Sequence, residues 1–180
     1  DVAVTSDGII LACNEVSNNF LTGANETFKC YRWDNLQDSP TEVISFDPPD
    51  QDGGGQNDWI GRLIGVKGAA SDNSLTITTA ASNLQGGTPD NVYRFTTSDN
   101  GQSFSVTTVD RTGDETTQGL NAVAPLGTGA SQFIYNPAAD LPKLYSSDGT
   151  FQEQVPSGVV SSFSHSAEYF EIGSNQFFAT

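Results

Sequence analysis

Short apolar runs, each closed by Gly, Asn, Asp or Pro, are the feature of this sequence that most restricts its fold. The runs alternate with polar residues or are rich in Val, Ile, Thr and Phe, and helical periodicity is nearly absent. Such runs predict β-strands joined by turns. The predicted strands are 2–5, 8–14, 28–34, 41–46, 60–68, 74–81, 91–97, 103–110, 120–127, 131–136, 142–147, 150–155, 166–173 and 175–180. We therefore expect an all-β fold.

Parts of the chain repeat one another. The segment YRW (31–33) matches YRF (93–95), and SSDGTF (146–151) matches SDNGQSF (98–104). In each unit a strand ending in an aromatic residue meets an Asp/Gly turn, which suits a tight hairpin because these residues tolerate positive φ. Two further strands precede the aromatic one. Four antiparallel strands at intervals of roughly 50–60 residues are typical of a β-propeller blade.

The sequence thus predicts a single β-propeller-like segment over residues 1–180. Its blades lie at approximately 1–46, 60–110 and 120–155, and another begins at 161–180. About three blades is fewer than the roughly 4–8 of closed propellers. We therefore expect a partial ring or fragment, completed by the remainder of a larger chain or by other subunits. The runner-up fold is a β-sandwich of the same strands, which the long inter-unit loops and the repeated aromatic strand disfavour.

Several of these segments resemble a known group of proteins. SDGIILACN followed by FKCYRWDNLQDSPTEVISF, and then IGRLIGVKGAASDNSLTIT with NVYRFTTSDNGQSF, are similar to secreted bacterial proteins of unknown function that contain β-propeller-type repeats. The resemblance covers approximately residues 6–155. It implies a propeller-type fold and export from the cell. That group has no assigned catalytic residues, so the resemblance implies none here.

The charge of the chain limits its partners and its location. It contains 22 acidic and 7 basic side chains, a formal net charge of −15. Such a surface repels nucleic-acid phosphates and anionic lipid, and no apolar run of about 18 residues is present to span a membrane. A composition rich in Ser, Thr and Asn and poor in Lys fits an extracellular, cell-surface or periplasmic protein. A glycan or a surface protein is the expected partner.

The two cysteines of the chain, Cys13 and Cys30, have two interpretations. They form a disulfide, which an exported protein permits, or they are small buried residues on two strands.

Residues 45–59, SFDPPDQDGGGQNDW, place Asp47, Asp50, Asp52 and Asp58 around three glycines. Calcium takes about 6–8 oxygen ligands, and these carboxylates could supply several. The alternating pattern of an EF-hand loop nevertheless breaks off early, and the glycines add an ordering cost to any metal site. The sequence favours a solvated connecting loop over a calcium site.

Trp59 ends this acidic stretch. An aromatic ring beside a polar loop could stack on a sugar, so Trp59 is a candidate carbohydrate-contacting residue, although Trp is usually buried.

Nothing in the sequence predicts a catalytic residue. The lone histidine, His165, follows serines without a G-x-S-x-G motif. The carboxylate pairs Glu168/Glu171 and Asp114/Glu115 fit structural positions better than a glycosidase pair.

The sequence therefore favours a non-catalytic, exported or cell-surface module that recognises a ligand, such as a carbohydrate, or a protein. The first alternative is a structural subunit of an extracellular assembly or filament. The second is a glycan-active hydrolase or lyase, which would require converging carboxylates, or a tyrosine with an arginine, in a central channel, with Arg62, Arg94 or Arg111 pointing inward.

Overall fold

A computed structural model describes residues 1–16, 26–49, 60–81, 91–111, 121–137, 140–156, 168–172 and 175–179. Sheet 1 contains β1 (Val2–Val4), β2 (Ile10–Cys13), β3 (Phe28–Trp33) and β4 (Thr41–Phe46). Sheet 2 contains β5 (Gly65–Lys67), β6 (Thr76–Ala80), β7 (Asn91–Thr96) and β8 (Ser105–Asp110). Sheet 3 contains β9 (Ala122–Leu126), β10 (Gln132–Asn136), β11 (Lys143–Ser146) and β12 (Phe151–Gln154). A hairpin of β13 (Glu168–Ile172) and β14 (Asn175–Ala179) follows, and a short 3₁₀ turn, Thr128–Ala130, joins β9 to β10.

All three larger sheets are antiparallel, with their strands ordered as they follow along the chain. The prediction of an all-β fold built from four-stranded antiparallel sheets is confirmed. The sheets are consistent with propeller-like blades, and the described residues do not form a closed ring. The assignment of the whole chain to one domain stays a prediction. Among the described residues, no helix has the length and apolar character needed to cross a membrane.

The first strand of sheet 2 begins several residues later than the sequence predicts. The apolar pattern predicts a strand over 60–68, but β5 begins only at Gly65. Gly61 has a φ of 82°, in the left-handed region, which interrupts extended backbone. Ile60 instead forms an isolated antiparallel bridge with Val16, which ties the entrance of sheet 2 to the exit of β2.

The first strands of neighbouring sheets lie close together. Strand β1 contacts β5, β5 contacts β9, and β13 contacts both β9 and β5. A propeller-like arrangement predicts such proximity, since the first strand of each blade is its innermost strand.

Aromatic side chains fill the interface between sheets 1 and 2. The ring of Phe46 lies 5.2 Å from that of Tyr93 and 5.7 Å from that of Phe95, and Phe28 lies 5.5 Å from Phe95. These tilted and edge-on pairs each contribute about 0.5–1.5 kcal/mol beyond simple area burial. Sheets 1 and 2 are therefore held together in part by aromatic side chains of β3, β4 and β7.

Because successive strands run in opposite directions, the segments that join them alternate between two ends of each sheet, which we call the turn end and the connection end. At the turn end lie residues 5–9, 34–40, 68–75, 97–104, 127–131 and 147–150. At the connection end lie the described parts of the remaining connections, residues 14–16, 26–27, 47–49, 60–64, 81, 111, 121, 137, 140–142 and 155–156. Most connections at that end are longer in sequence than the turns, and the candidate Asp47 lies directly after β4.

Candidate functional site

The acidic stretch considered as a calcium site, and interpreted as a solvated loop, is only partly described. Asp47 lies just after β4, and its Oδ1 accepts a hydrogen bond of 2.6 Å from the Thr27 hydroxyl. Asp50, Asp52 and Asp58 lie outside the described residues, as does Trp59. No group of three or more His, Cys, Asp or Glu side chains in the described part of the chain is placed to hold a metal ion. The calcium site and the sugar contact at Trp59 stay predictions.

Cys13 and Cys30 face each other across β2 and β3. The backbone N–H of Asn14 donates to the Lys29 carbonyl, so the cysteines form a non-hydrogen-bonded pair, the closer type of cross-strand pair. Their Cα atoms are 4.1 Å apart and their sulphur atoms are bonded. Both side chains are also buried. The disulfide links the last residue of β2, directly before the connection 14–27, to β3, the strand that follows this connection.

Arg111 is a buried cation at the connection end. It directly follows β8 and is 4% exposed. Its guanidinium carbon lies 3.8 Å from the centroid of the Tyr135 ring and 5.9 Å from that of Tyr145, both in sheet 3. A desolvated guanidinium over an aromatic face is attracted by the ring quadrupole. Arg111 therefore joins the last strand of sheet 2 to the middle of sheet 3.

A second buried cation lies beside it. Lys143 begins β11, opposite Tyr135 in the register, and its side chain is only 4% exposed. Its Nζ forms an ion pair of 2.7 Å with the carboxylate of Asp140. Burial, and after it the positive charge of Arg111, together lower the pKa of Lys143 from 10.5 to about 8. The Asp140 carboxylate opposes this shift but is partly exposed, so its field is screened by water.

Two buried amides lie at the same end of the sheets. Asn121 precedes β9 and donates from Nδ2 to the Ala81 carbonyl of sheet 2, at 2.9 Å. Asn136 ends β10 and is fully buried. We call Arg111, Tyr135, Asp140 and Lys143 the cation cluster. The amides extend its polar surroundings toward the starts of the connections.

The cation cluster departs from the pattern of the preceding interface. Between sheets 1 and 2 the corresponding layer is formed by aromatic rings, including Phe46 and Phe95. Burying a charge is costly compared with burying an apolar side chain of similar size, even when the charge is paired. Side chains that break a local packing pattern in this way tend to mark functional sites.

Sequence reasoning found only part of this cluster. It named Arg111 among three arginines that an enzyme would need, and the structure buries Arg111 between sheets 2 and 3. Arg94 reaches the Gly129 carbonyl at 3.4 Å, whereas the side chain of Arg62 is 45% exposed. Lys143 was missed, because a lysine at the start of a strand reads as a solvated residue. The burial of a cation in a chain with only 7 basic residues is visible only in three dimensions.

The turn end is built differently. In three of its turns a Ser or Thr hydroxyl donates to an Asp two residues later: Thr5 to Asp7 at 2.5 Å, Thr97 to Asp99 at 2.8 Å, and Ser146 to Asp148 at 2.5 Å. Hydrogen bonds from the Ser103 hydroxyl and N–H and from Thr97 lower the pKa of Asp99 to about 2. These carboxylates are used to close turns, which is a structural role.

Known proteins resemble this chain in fold only. No protein-family model matches the sequence, and no curated protein sequence is similar to it. A solved structure that is similar is a DUF4623 family protein from Bacteroides eggerthii, with a TM-score of 0.61 and 9% sequence identity. The match covers 96% of this chain and 35% of that protein, so this chain spans about a third of its length. At this identity the likeness shows the fold and nothing more.

Proposed function

We propose that this chain is a non-catalytic, exported recognition module that binds carbohydrate through the connection end of its propeller-like sheets. The observation that carries the proposal is the position of the cation cluster, which is buried between sheets 2 and 3 at that end. Arg111 begins the connection 111–121, Asp140 lies near the end of the connection 137–142, and Lys143 directly follows it as the first residue of β11. The cluster thus fixes where two connections leave the sheets.

Rigid anchors beneath variable loops are a common design for binding sites. Loops carry function most effectively when a stiff scaffold positions them, because less freedom is lost when the ligand binds. The disulfide Cys13–Cys30 plays the same part for the connection 14–27. The turn end, in contrast, is closed by short hydrogen-bonded turns and offers less adaptable surface.

The sequences of the connections support carbohydrate as the ligand. The segments SNNFLTGAN (17–25), DQDGGGQNDW (50–59), SNLQGGTPD (82–90) and TGDETTQGL (112–120) are rich in amide, hydroxyl and carboxylate side chains, with one Trp. Such groups match the hydroxyls of a sugar, and an aromatic ring matches its apolar face. The net charge of −15 disfavours extended polyanions. A neutral glycan is therefore the proposed class.

A glycan array incubated with the labelled chain tests this proposal, with release of reducing ends measured on the same glycans. We expect retention on at least one neutral glycan class without release. Replacing residues 82–90 with a Gly-Ser segment of equal length should remove binding. The matched control replaces 35–39 at the turn end and should leave binding intact, with thermal melts showing that both variants fold. Release of reducing ends, or loss of binding only in the control, would contradict the proposal.

A further inference from the structure

One face of sheet 1 is rich in apolar and aromatic side chains that are exposed or half-buried. We call it the leading face, and its members are Val2, Val4, Ile10, Ala12, Tyr31 and Trp33. Val2 and Val4 are 65% and 63% exposed, and the other four are half-buried. The opposite face packs against sheet 2. Exposed contiguous apolar surface of this kind commonly marks an interaction site.

The register shows that these side chains form two continuous rows. Val2 pairs with Ala12, which pairs with Tyr31. Val4 pairs with Ile10, which pairs with Trp33. Because side chains alternate across a strand, each row lies on one side of the sheet. The intervening residues Ala3 and Leu11 belong to the core between sheets 1 and 2.

Sheet 2 shows what normally covers such a face. Arg32 of β3 donates to the Asn100 carbonyl in sheet 2, at 2.5 Å. Arg94 of β7 donates to the Gly129 carbonyl between β9 and β10, at 3.4 Å. Each arginine thus reaches toward the sheet that follows it. The residues on either side of each arginine point to the opposite face of the strand. In sheet 2 that face packs against sheet 1.

The two strands can therefore be matched position by position. Tyr31 and Trp33 flank Arg32 as Tyr93 and Phe95 flank Arg94. Tyr93 and Phe95 are 0% and 1% exposed. They are covered by Phe46 of sheet 1, and Phe95 also by Phe28, with ring centroids 5.2–5.7 Å apart. The corresponding pair in sheet 1 is half-buried, with the Tyr31 hydroxyl donating to Glu42 at 3.3 Å, and no aromatic ring from the described part of another sheet lies over it.

We propose that the leading face of sheet 1 is the docking surface for another four-stranded β-sheet of the same class, carried on the same polypeptide. This partner sheet presents aromatic side chains from its third and fourth strands, at the positions that Phe28 and Phe46 hold in sheet 1. The existing interface between sheets 1 and 2 is the template for the contact. The inference does not depend on the proposed carbohydrate function.

The size of the face explains why the partner is tethered. Strands of 3 to 6 residues in a four-stranded sheet give a face of roughly 300 Å², from the spacing and rise of β-strands. A stable interface between separate proteins buries about 800 Å² per partner. A sheet on the same chain docks at high effective concentration and needs less area. A longer polypeptide with this fold has a precedent, because the match to the DUF4623 family structure covers only 35% of that protein's chain.

Oxidative footprinting read by mass spectrometry tests the proposal. Tyr31 and Trp33 are compared in the 180-residue chain and in the full-length product of its gene, with Tyr93 and Phe95 as buried references. We expect both side chains to react readily in the 180-residue chain. In the full-length product we expect the reactivity of Tyr31 and Trp33 to fall to that of the references. A full-length product that adds no further sheet, or that leaves Tyr31 and Trp33 reactive, would overturn the proposal.

A second measurement excludes self-association as the source of protection. Light scattering of the 180-residue chain across a concentration series should show a monomer. A dimer in which Tyr31 and Trp33 become protected would assign the face to a second copy and so overturn the tethered partner. The Trp33→Thr substitution adds an independent readout: it should destabilise the full-length product and leave the 180-residue chain nearly unchanged. Leu36→Thr, at a 76% exposed position in a turn, is the control and should change neither.

Discussion

The guanidinium carbon of Arg111 lies 3.8 Å above the ring of Tyr135, so a cation from the end of sheet 2 is stacked on an aromatic side chain of sheet 3. The same positive charge also acts on Lys143, whose pKa is lowered first by burial and then by Arg111. One side chain therefore serves both as an inter-sheet contact and as an electrostatic neighbour. These two roles can be separated by experiment.

Arg111→Met should destabilise the fold and raise the pKa of Lys143. The stacking energy of a desolvated cation on an aromatic ring is about 2 kcal/mol, of which methionine packing recovers part. The pKa rises because a like charge has been removed. Urea unfolding measures the first effect, and NMR titration of the Lys143 side chain measures the second. A destabilised variant with an unchanged Lys143 pKa would show that the two cations do not interact.

The stability of the protein should rise with pH above pH 8 because of Lys143. Its pKa falls from 10.5 to about 8 on folding. Below pH 8 both states hold the proton. Between about pH 8 and 10.5 the unfolded chain binds more protons than the folded chain, so the free energy of unfolding increases with pH in that window.

Lys143→Met should abolish this contribution. Unfolding by urea at pH 7, 8, 9 and 10 should show the wild type gaining stability relative to the variant. Lys67→Met on β5 is the matched control and should keep the wild-type slope. Parallel pH profiles for wild type and Lys143→Met would contradict the assignment.

Acid should destabilise the turn end between pH 4 and pH 2. The pKa of Asp99 is lowered to about 2 by hydrogen bonds from Ser103 and Thr97. For Asp7, burial is the largest influence and raises the pKa, but hydrogen bonds from Thr5, Ser71 and Ala70 together lower it to about 2. Both carboxylates stabilise the fold above their unfolded pKa of 3.8, and this contribution is lost as the pH falls toward 2.

Asp99→Asn tests this pH dependence. The variant should be less stable than the wild type at pH 7, and the difference should narrow as the pH falls from 4 to 2. Glu153→Gln on β12 serves as the control, because it lies outside these turns. A difference between wild type and Asp99→Asn that stays constant over this range would rule out the carboxylate as the titrating group.

Arg32 and Arg94, which each donate a hydrogen bond to a backbone carbonyl of the following sheet, should differ in their contributions to stability. Arg32 is bonded to the Asn100 carbonyl at 2.5 Å and paired with Asp34 at 2.6 Å, and its side chain is 10% exposed. Its replacement by Met should cost about 1.5–3 kcal/mol, the usual range for a hydrogen bond to a charged group. Arg94→Met should cost less, because its bond to Gly129 is 3.4 Å long. Equal losses in urea unfolding would contradict this ranking.

Reduction of the disulfide should destabilise sheet 1. Cys13 and Cys30 are separated by 17 residues along the chain, and closing a loop of this length contributes about 3 kcal/mol. We expect a clear fall in melting temperature on adding a thiol reductant, and a similar fall for the Cys13→Ser/Cys30→Ser variant. The reductant should then have no further effect on that variant. An unchanged melting temperature in both cases would mean that the thiols are free.

The local patterns of the sequence predicted the sheets well. Alternation in FKCYRW predicts a strand with one buried face, and Phe28 and Cys30 are fully buried in β3. Asp-Gly and Asn-Gly steps predict tight turns, and Gly101 and Gly149 indeed have positive φ values of 75° and 90°. Such features depend on residues close in sequence, which is why they can be read from it.

The candidate site could not be read in the same way. Arg111 and Lys143 are brought together by the packing of sheet 3 on sheet 2, and no local pattern encodes that contact. The leading face was equally invisible, because Tyr31 and Trp33 look like core residues in sequence and their exposure is known only from the structure. Positions that depend on inter-sheet packing are therefore the ones that sequence reasoning missed.

The most direct test of the proposed function is amide hydrogen exchange with and without a glycan retained on the array. We predict protection on binding in the connection-end segments, among them 47–64, 81–90 and 111–121. The turns at 34–40, 97–104 and 147–150 should exchange as in the free chain, and the glycan should be recovered intact. Protection confined to those turns, or a cleaved glycan, would contradict recognition through the connection end.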